Sequence, residues 1–260
     1  MDSSLNEFSM DFFSLKDKVA IVTGGNTGLG QGYAIALAKA GADLYIPTYD
    51  TDWNDTRKAI EAEGRKVEFL QVDLTKKESI DKVVSGCMNE FGKIDILINN
   101  AGTIIRNPIL EYKDEDWDKV MDININVVYH LSQSVAKIMV EQGYGKIINV
   151  ASMLAFQGGK FVPPYTASKH AVSGLTKAFA NELGSKNIQV NAIAPGYIET
   201  ANTAPIRADK ERNAEILSRI PAGAWGKPFD LMGAMVFMCS KAADYMNGHI
   251  LAIDGGWLVR

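Results

Sequence analysis

Short runs of apolar and β-branched residues alternate with longer segments of helical periodicity along nearly the whole chain. VAIVTGG (Val19–Gly25) reads as a strand, and Gly28 to Ala40 as a helix ended by Gly41. ADLYIPT (Ala42–Thr48), VEFLQVD (Val67–Asp73) and IDILINN (Ile94–Asn100) repeat the strand signal. Helices are predicted between them, around Asp55–Glu63 and over Lys77–Phe91, stopped by Gly64 and Gly92. A long helix near Asp114–Glu141 follows, then GKIINVAS (Gly145–Ser152), a helix from Tyr165 to about Leu183, and IQVNAIAP (Ile188–Pro195). A short helix over Asp209–Arg219 and a last strand in HILAIDGG complete the pattern. Strands that are apolar without alternation are buried on both faces, and intervening helices are the crossovers of a parallel sheet. The expected fold is therefore α/β, a single-domain Rossmann fold: a seven-stranded, parallel, doubly wound sheet flanked by helices. No internal repeat or Pro/Ser-rich linker divides residues 17–260. Residues 1–16 lack periodicity and are expected to form a loose arm, either free or touching another subunit.

Composition narrows the class. With 260 residues, 47% of them hydrophobic and 22% charged, the chain can bury one sizeable core. Lysine plus arginine (27) against aspartate plus glutamate (31) gives a net charge of −4, which argues against nucleic-acid and anionic-membrane partners. Cys87 and Cys239 make neither a disulfide framework nor a zinc motif, in keeping with a reducing, cytoplasmic setting. No apolar run reaches the ~20 residues of a membrane span, and MDSSLNEFSMDFF lacks the basic start and apolar stretch of a signal peptide. His130, His170 and His249 are scattered, and no metal site is expected.

Gly24, Asn26, Thr27, Gly28, Leu29 and Gly30 belong to the turn that follows the first strand and opens the first helix. Glycines there permit positive φ and close backbone approach, and a helix N-terminus offers unpaired N–H groups to a pyrophosphate. The spacing Gly24-x3-Gly28-x-Gly30 departs from the usual G-x-G-x-x-G fingerprint. Cofactor choice is made at the end of the second strand, which reads Ile46-Pro47-Thr48-Tyr49-Asp50 without a cation. Asp50 either accepts from a ribose 2′-hydroxyl, favouring NAD(H) over NADP(H), or caps the next helix. Asp73 either accepts from an adenine amino group or is a turn aspartate.

Tyr165 is the one tyrosine of nine with a lysine four residues on, Lys169, so both lie on one helix face. A lysine cation at ~4 Å and an effective dielectric near 20 would favour the phenolate by at most about 4 kcal/mol. That is a ceiling of roughly two to three pKa units, enough to make a phenol useful in acid–base chemistry. Ser152, at the end of the fifth strand, stands where a hydroxyl can orient the same oxygen. Val172 and Thr176 continue the Tyr165 face, whereas Ala167, Ala171, Gly174 and Ala178 form a small-residue face suited to close packing, with another subunit or within the chain.

Together TGGNTGLG, Asp73, NNAG (Asn99–Gly102), Asn124, Ser152, Tyr165-x3-Lys169, PGYIET (Pro195–Thr200) and Asp254-Gly255-Gly256 resemble the short-chain dehydrogenase/reductase family. The resemblance implies nicotinamide-dependent oxidoreduction. It makes Tyr165 the acid/base, Lys169 the ribose binder and pKa depressor, Ser152 the substrate orienter, and Asn124 the holder of a relay water. It adds Leu74, Asn100, Ala101, Gly102, Pro195, Ile198 and Thr200 to the cofactor contacts, requires no metal, and suggests a homotetramer. IINVASMLAFQGG, NAIAPGYIETANT and IRADKERNAEILSRIPAGAWG are similar to the family's sugar-acid branch, which implies a small keto or keto-deoxy hexonate as substrate. A nucleotide-binding regulator without turnover is the alternative of another class. A hexonate needs a cation near Ser152 and Tyr165; Arg106 is the first expectation and Arg207 the second, with Lys160 also in range and Gln157 for hydroxyl recognition. The polar segment from Ile198 to about Pro221 reads as a lid.

Overall fold

The computed structural model describes residues 7–260. Seven strands form one sheet: β1 (Val19–Val22), β2 (Asp43–Thr48), β3 (Val67–Gln71), β4 (Ile96–Asn99), β5 (Gly145–Val150), β6 (Ile188–Pro195) and β7 (Ile250–Ile253). They lie in the order β3-β2-β1-β4-β5-β6-β7 and every pairing is parallel. Crossovers are made by α1 (Gly28–Lys39), α2 (Asn54–Glu61), α3 (Lys77–Phe91), α4 (Asp114–Met121), α5 (Val127–Gln142) and α6 (Pro163–Leu183). Three further helices, α7 (Ala204–Ala208), α8 (Lys210–Arg219) and α9 (Pro228–Cys239), lie between β6 and β7. The doubly wound sheet is as expected.

The period of two within each strand explains why apolar runs were needed. Ala20, Val22, Leu44, Ile46, Ile96 and Ile98 enter the core layer shared with α1 and α9. Their neighbours Val19, Ile21, Tyr45 and Leu97 enter the opposite layer, with α3 and α5. The inner strands β1, β2 and β4 thus bury both faces, as a parallel sheet under two helical layers requires, while the edge strands β3 and β7 are only partly buried.

Four features depart from the sequence reading. The helix expected over Asp114–Glu141 is divided by a π turn at Asp122–Asn126. Helix α6 starts two residues before Tyr165 because Pro163 suits the first helical position. Helix α9 was not anticipated: its apolar residues run round most of its circumference, so no single stripe marks it, and Leu231, Met235 and Met238 pack into the α1 layer. The N-terminal arm is anchored before residue 17. Met10–Phe13 form a 3-10 turn, and Leu15 is buried with its N–H donating to the Ala40 carbonyl at 2.8 Å. Residues 1–6 of that arm lie outside the described residues. Among the described residues, no helix is long and apolar enough to cross a membrane.

At the N-terminal edge of the sheet Lys146 is completely buried and its Nζ lies 2.6 Å from Asp244 Oδ1. Burial lowers the lysine's pKa against the opposing pull of Asp244. Removing the carboxylate leaves a buried cation unpaired, whereas replacing the lysine by a hydrocarbon does not. Asp244→Ala should therefore cost roughly 2 kcal/mol in chemical denaturation, and Lys146→Met distinctly less.

Candidate active site

The winding reverses between β1 and β4, and the diverging crossovers leave a crevice at the C-terminal ends of the strands. Thr23 closes its base. Its Oγ1 accepts from the N–H groups of Asn100 and Ala101, each at 2.9 Å, and donates to the Ile98 carbonyl at 3.3 Å. In return Asn100 Nδ2 donates to the carbonyls of Thr23 (2.8 Å) and Gly24 (3.1 Å). Gly30 must be glycine, since a Cβ there would lie 2.2 Å from the Gly24 oxygen and 2.4 Å from Asn100 Nδ2. Gly28, the first residue of α1, has φ +56° and open space beyond its Cα. No side chain caps α1, so its first N–H groups are available to an anion.

The resulting cleft of about 770 Å³ is lined by Gly24, Asn26, Thr27, Gly28, Leu29 and Gly30 at one wall. Asp50, Asp73 and Leu74 stand along it, with Asn100, Ala101 and Gly102 at its base and Pro195, Ile198 and Thr200 on the facing wall. Ser152, Tyr165, Lys169 and Arg106 also line it. The dinucleotide residues expected from sequence thus share one cavity of ligand-site size, with an open helix N-terminus for a pyrophosphate, and the residues fit a nicotinamide dinucleotide. The lysines and arginines among the lining residues are Arg106, Lys119 and Lys169, none of them on the β2 loop. Asp50 Oδ1 accepts from Asn26 Nδ2 at 2.6 Å. Asp73 Oδ1 accepts from the Thr75 hydroxyl at 2.7 Å and its N–H at 3.0 Å, which holds that carboxyl below its usual pKa. Asp73 is therefore a turn aspartate that also faces the cleft.

Tyr165 and Lys169 follow one another on α6, and the Lys169 ammonium lies 5.4 Å from the Tyr165 ring centre. Lys169 Nζ donates to the Val150 carbonyl at 2.6 Å, a contact no sequence pattern announces because the acceptor is main chain. Burial pushes the Tyr165 phenol above its ordinary pKa, while the Ser152 hydroxyl and the Arg106 guanidinium pull it back. The outcome is opposite to the depression expected from Lys169. Desolvation dominates, and Lys169 is itself lowered to about 8 by burial. Asn124 is not among the residues that line the cleft, although Thr103, to which it is bonded, is. It is buried in the π turn, where its Oδ1 accepts from Thr103 N–H at 2.8 Å and its Nδ2 donates to the Thr103 carbonyl at 3.0 Å and Ser168 Oγ at 3.1 Å. Ser168 Oγ in turn donates to the Tyr165 carbonyl at 2.8 Å, so Asn124 braces the helix that carries Tyr165.

Arg106 is exposed at the rim, and its Nη2 donates to the Asn202 carbonyl at 3.4 Å. It thereby spans the mouth between the loop after β4 and the turn Ala201–Thr203. Arg207, on α7, is not among the residues that line the cleft; its Nη2 donates to the carbonyl of Thr200, which does line it, at 3.3 Å. Gln157 and Lys160 lie in the loop between Ser152 and α6, and neither lines the cleft. Lys119 does line it; on the amphipathic α4 it is indistinguishable in sequence from a solvated charge. Of the segment expected to act as a lid, residues 198 and 200–203 border the cleft. Ile216 of α8 and Ile220, which follows that helix, are packed with Met153, Trp225 and Trp257.

Because Lys169 has a native pKa of about 8 against an ordinary 10.5, the unfolded chain holds the extra proton between those values. Stability should therefore rise with pH across that window, on the order of 3 kcal/mol from this group. Urea denaturation of the wild type and Lys169→Met at pH 7.5 to 10.5 checks it: the difference between the two should change with pH, and parallel curves would contradict the assignment.

Residues 18–211 match the family model described as short chain dehydrogenase. The 2-dehydro-3-deoxy-D-gluconate 5-dehydrogenase of Bacillus subtilis (strain 168) is 53% identical over 96% of this chain and 98% of its own length. A solved structure from Agrobacterium tumefaciens with bound NADP is 47% identical, with TM-score 0.89 over 95% of this chain and 99% of that one. The gluconate 5-dehydrogenase from Burkholderia cenocepacia J2315, solved in complex with NADP and tartrate, is 33% identical, with TM-score 0.92 over 96% and 98%. With the switch-point cleft, the glycine turn and the Ser152–Tyr165–Lys169 group in one cavity, this chain belongs to the short-chain dehydrogenase family.

Proposed function

We propose that the chain is an NAD(H)-dependent oxidoreductase interconverting 2-keto-3-deoxy-D-gluconate and its 2,5-diketo form, a step in uronate breakdown. One observation carries the reading: Arg106, Ser152, Tyr165 and Lys169 meet at one end of a cleft whose other end is an uncapped helix N-terminus. The similarity to the Bacillus subtilis enzyme supports the substrate class. NAD(H) is favoured by Asp50 at the β2 end and by the want of a cation on that loop, although related structures hold NADP.

The cofactor supplies or accepts the hydride. Tyr165, a phenol whose pKa burial raises, gives its phenolic proton to the carbonyl oxygen during reduction and takes one back during oxidation. Ser152 holds that oxygen beside the phenol, Lys169 binds the cofactor ribose, and Arg106 takes the substrate carboxylate through two parallel N–H donors. Asn124 fixes the α6 turn that presents Tyr165. The Ala201–Thr203 turn, joined to Arg106 at Asn202, closes over the bound acid.

A groove of about 540 Å³ between α5 and α6, lined in part by Tyr129, Val140, Ala178 and Phe179, supports association of copies into a homotetramer. Gly174 and Ala178 of the small-residue face stand exposed beside it. A solution mass four times that of the chain would bear this out. Gluconate 5-dehydrogenase activity is the second reading, favoured by the Burkholderia cenocepacia structure; it keeps the same residues in the same roles.

Tyr165→Phe should retain NADH binding but lose about 10²- to 10⁴-fold in kcat; near-normal turnover would overturn the acid/base role. Arg106→Gln should raise KM for the keto acid roughly 10- to 100-fold, with a smaller fall in kcat. Steady-state kinetics with the acid and with a neutral ketone of similar size check it. Equal losses on both would remove Arg106 from carboxylate recognition.

A further inference from the structure

The glycine-rich turn and the loop after β2 are tied together by side chains rather than by sheet pairing. Asn26 is only 6% exposed. Its Nδ2 donates to Asp50 Oδ1 at 2.6 Å and to the Asp52 carbonyl at 3.1 Å. Its own carbonyl accepts from the buried Thr56 hydroxyl at 2.9 Å, and that hydroxyl accepts from Gln31 Nε2 at 2.8 Å. The backbone of Asp50 is held as well, because Thr48 Oγ1 donates to its carbonyl at 2.6 Å. A weaker donor, the Asp52 N–H at 3.3 Å, adds to Oδ1.

Both donors fall on Oδ1, which leaves Oδ2 as the acceptor not engaged among the described residues. An aspartate at this exposed position without a brace would be free to rotate aside. A 2′-phosphate brings roughly two negative charges and mainly acceptor oxygens, so it meets repulsion only while the carboxylate stays in place. The same contact occupies the Asn26 amide, which would otherwise be a donor for that phosphate.

We infer that Asn26 is the positioning residue for cofactor selectivity: its amide pins Asp50 so that the free carboxylate oxygen admits a ribose 2′-hydroxyl and rejects a 2′-phosphate. The inference rests on the proposed NAD(H) preference and on Asp50 as its source. Asn26 acts through Asp50, so its removal should move the ratio of cofactor affinities rather than affinity as a whole.

The test is the pair of dissociation constants for NADH and NADPH, measured by fluorescence titration on the intact chain. The variants are Asn26→Ala, Asn26→Ser, whose hydroxyl is too short to reach Asp50, Asp50→Ser, and the double variant Asn26→Ala/Asp50→Ser. Asn26→Ala and Asn26→Ser should each lower the NADH-over-NADPH preference about tenfold, the worth of a hydrogen bond to a charged group. Asp50→Ser should lower it at least as much, and the double variant no further than Asp50→Ser alone. If Asp50→Ser shifts the ratio and both Asn26 variants leave it at the wild-type value, the inference is overturned while the cofactor reading stands. A parallel loss of affinity for both cofactors in the Asn26 variants also overturns it, as it would mark a merely structural residue. An unchanged ratio in Asp50→Ser would overturn the cofactor reading itself, and the inference with it.

Discussion

Between β1 and β4, where the winding of the sheet reverses, Thr23 and Gly24 are joined to Asn100 and Ala101 by four hydrogen bonds across the strand ends. These bonds hold the glycine turn against the base of the cleft and leave so little room that residue 30 can carry no side chain. The N-terminus of α1 is aimed by this clasp, and the cleft wall inherits its position. Loosening it would shift the helix N–H groups relative to Tyr165, although each lies on an element that is itself well packed. Rigid strands and one polar clasp thus set the distance between the two halves of the site.

The cleft is electrically uneven. Asp50 and Asp73 stand at one end, Arg106 and Lys169 at the other. The chain as a whole carries −4, so attraction of an acidic substrate has to be local, a role the proposed function gives to Arg106 at the rim. Burial works against both acid–base partners, raising Tyr165 and lowering Lys169. A phenol raised by desolvation remains a proton donor at neutral pH, which suits reduction of a carbonyl.

How much of this was legible in the sequence followed from the range of each interaction. Helix α3 was predicted to the residue because Gly92 stops a clear amphipathic run. Tyr165 and Lys169, which line the cleft, can be singled out because their pairing is a spacing of four on one helix, and Arg106, also on its lining, because it follows a strand end. The π turn at Asp122–Asn126 was not visible, since a widened turn leaves helical periodicity nearly unbroken. The Asn26–Asp50 contact joins two short polar residues 24 positions apart, and no pattern encodes which loop residues meet. Arg207 and Gln157 are not among the cleft-lining residues, and sequence gives the composition of such connecting segments but not their course. The sign of the Tyr165 shift depended on depth of burial, which spacing alone does not contain.

The most direct test of the whole account is the consumption of NADH by the purified protein offered 2,5-diketo-3-deoxygluconate or 5-ketogluconate, repeated with NADPH. Rapid turnover of the deoxy compound is expected, faster with NADH than with NADPH. Turnover of neither acid with either cofactor would contradict it, leaving the family but not the substrate.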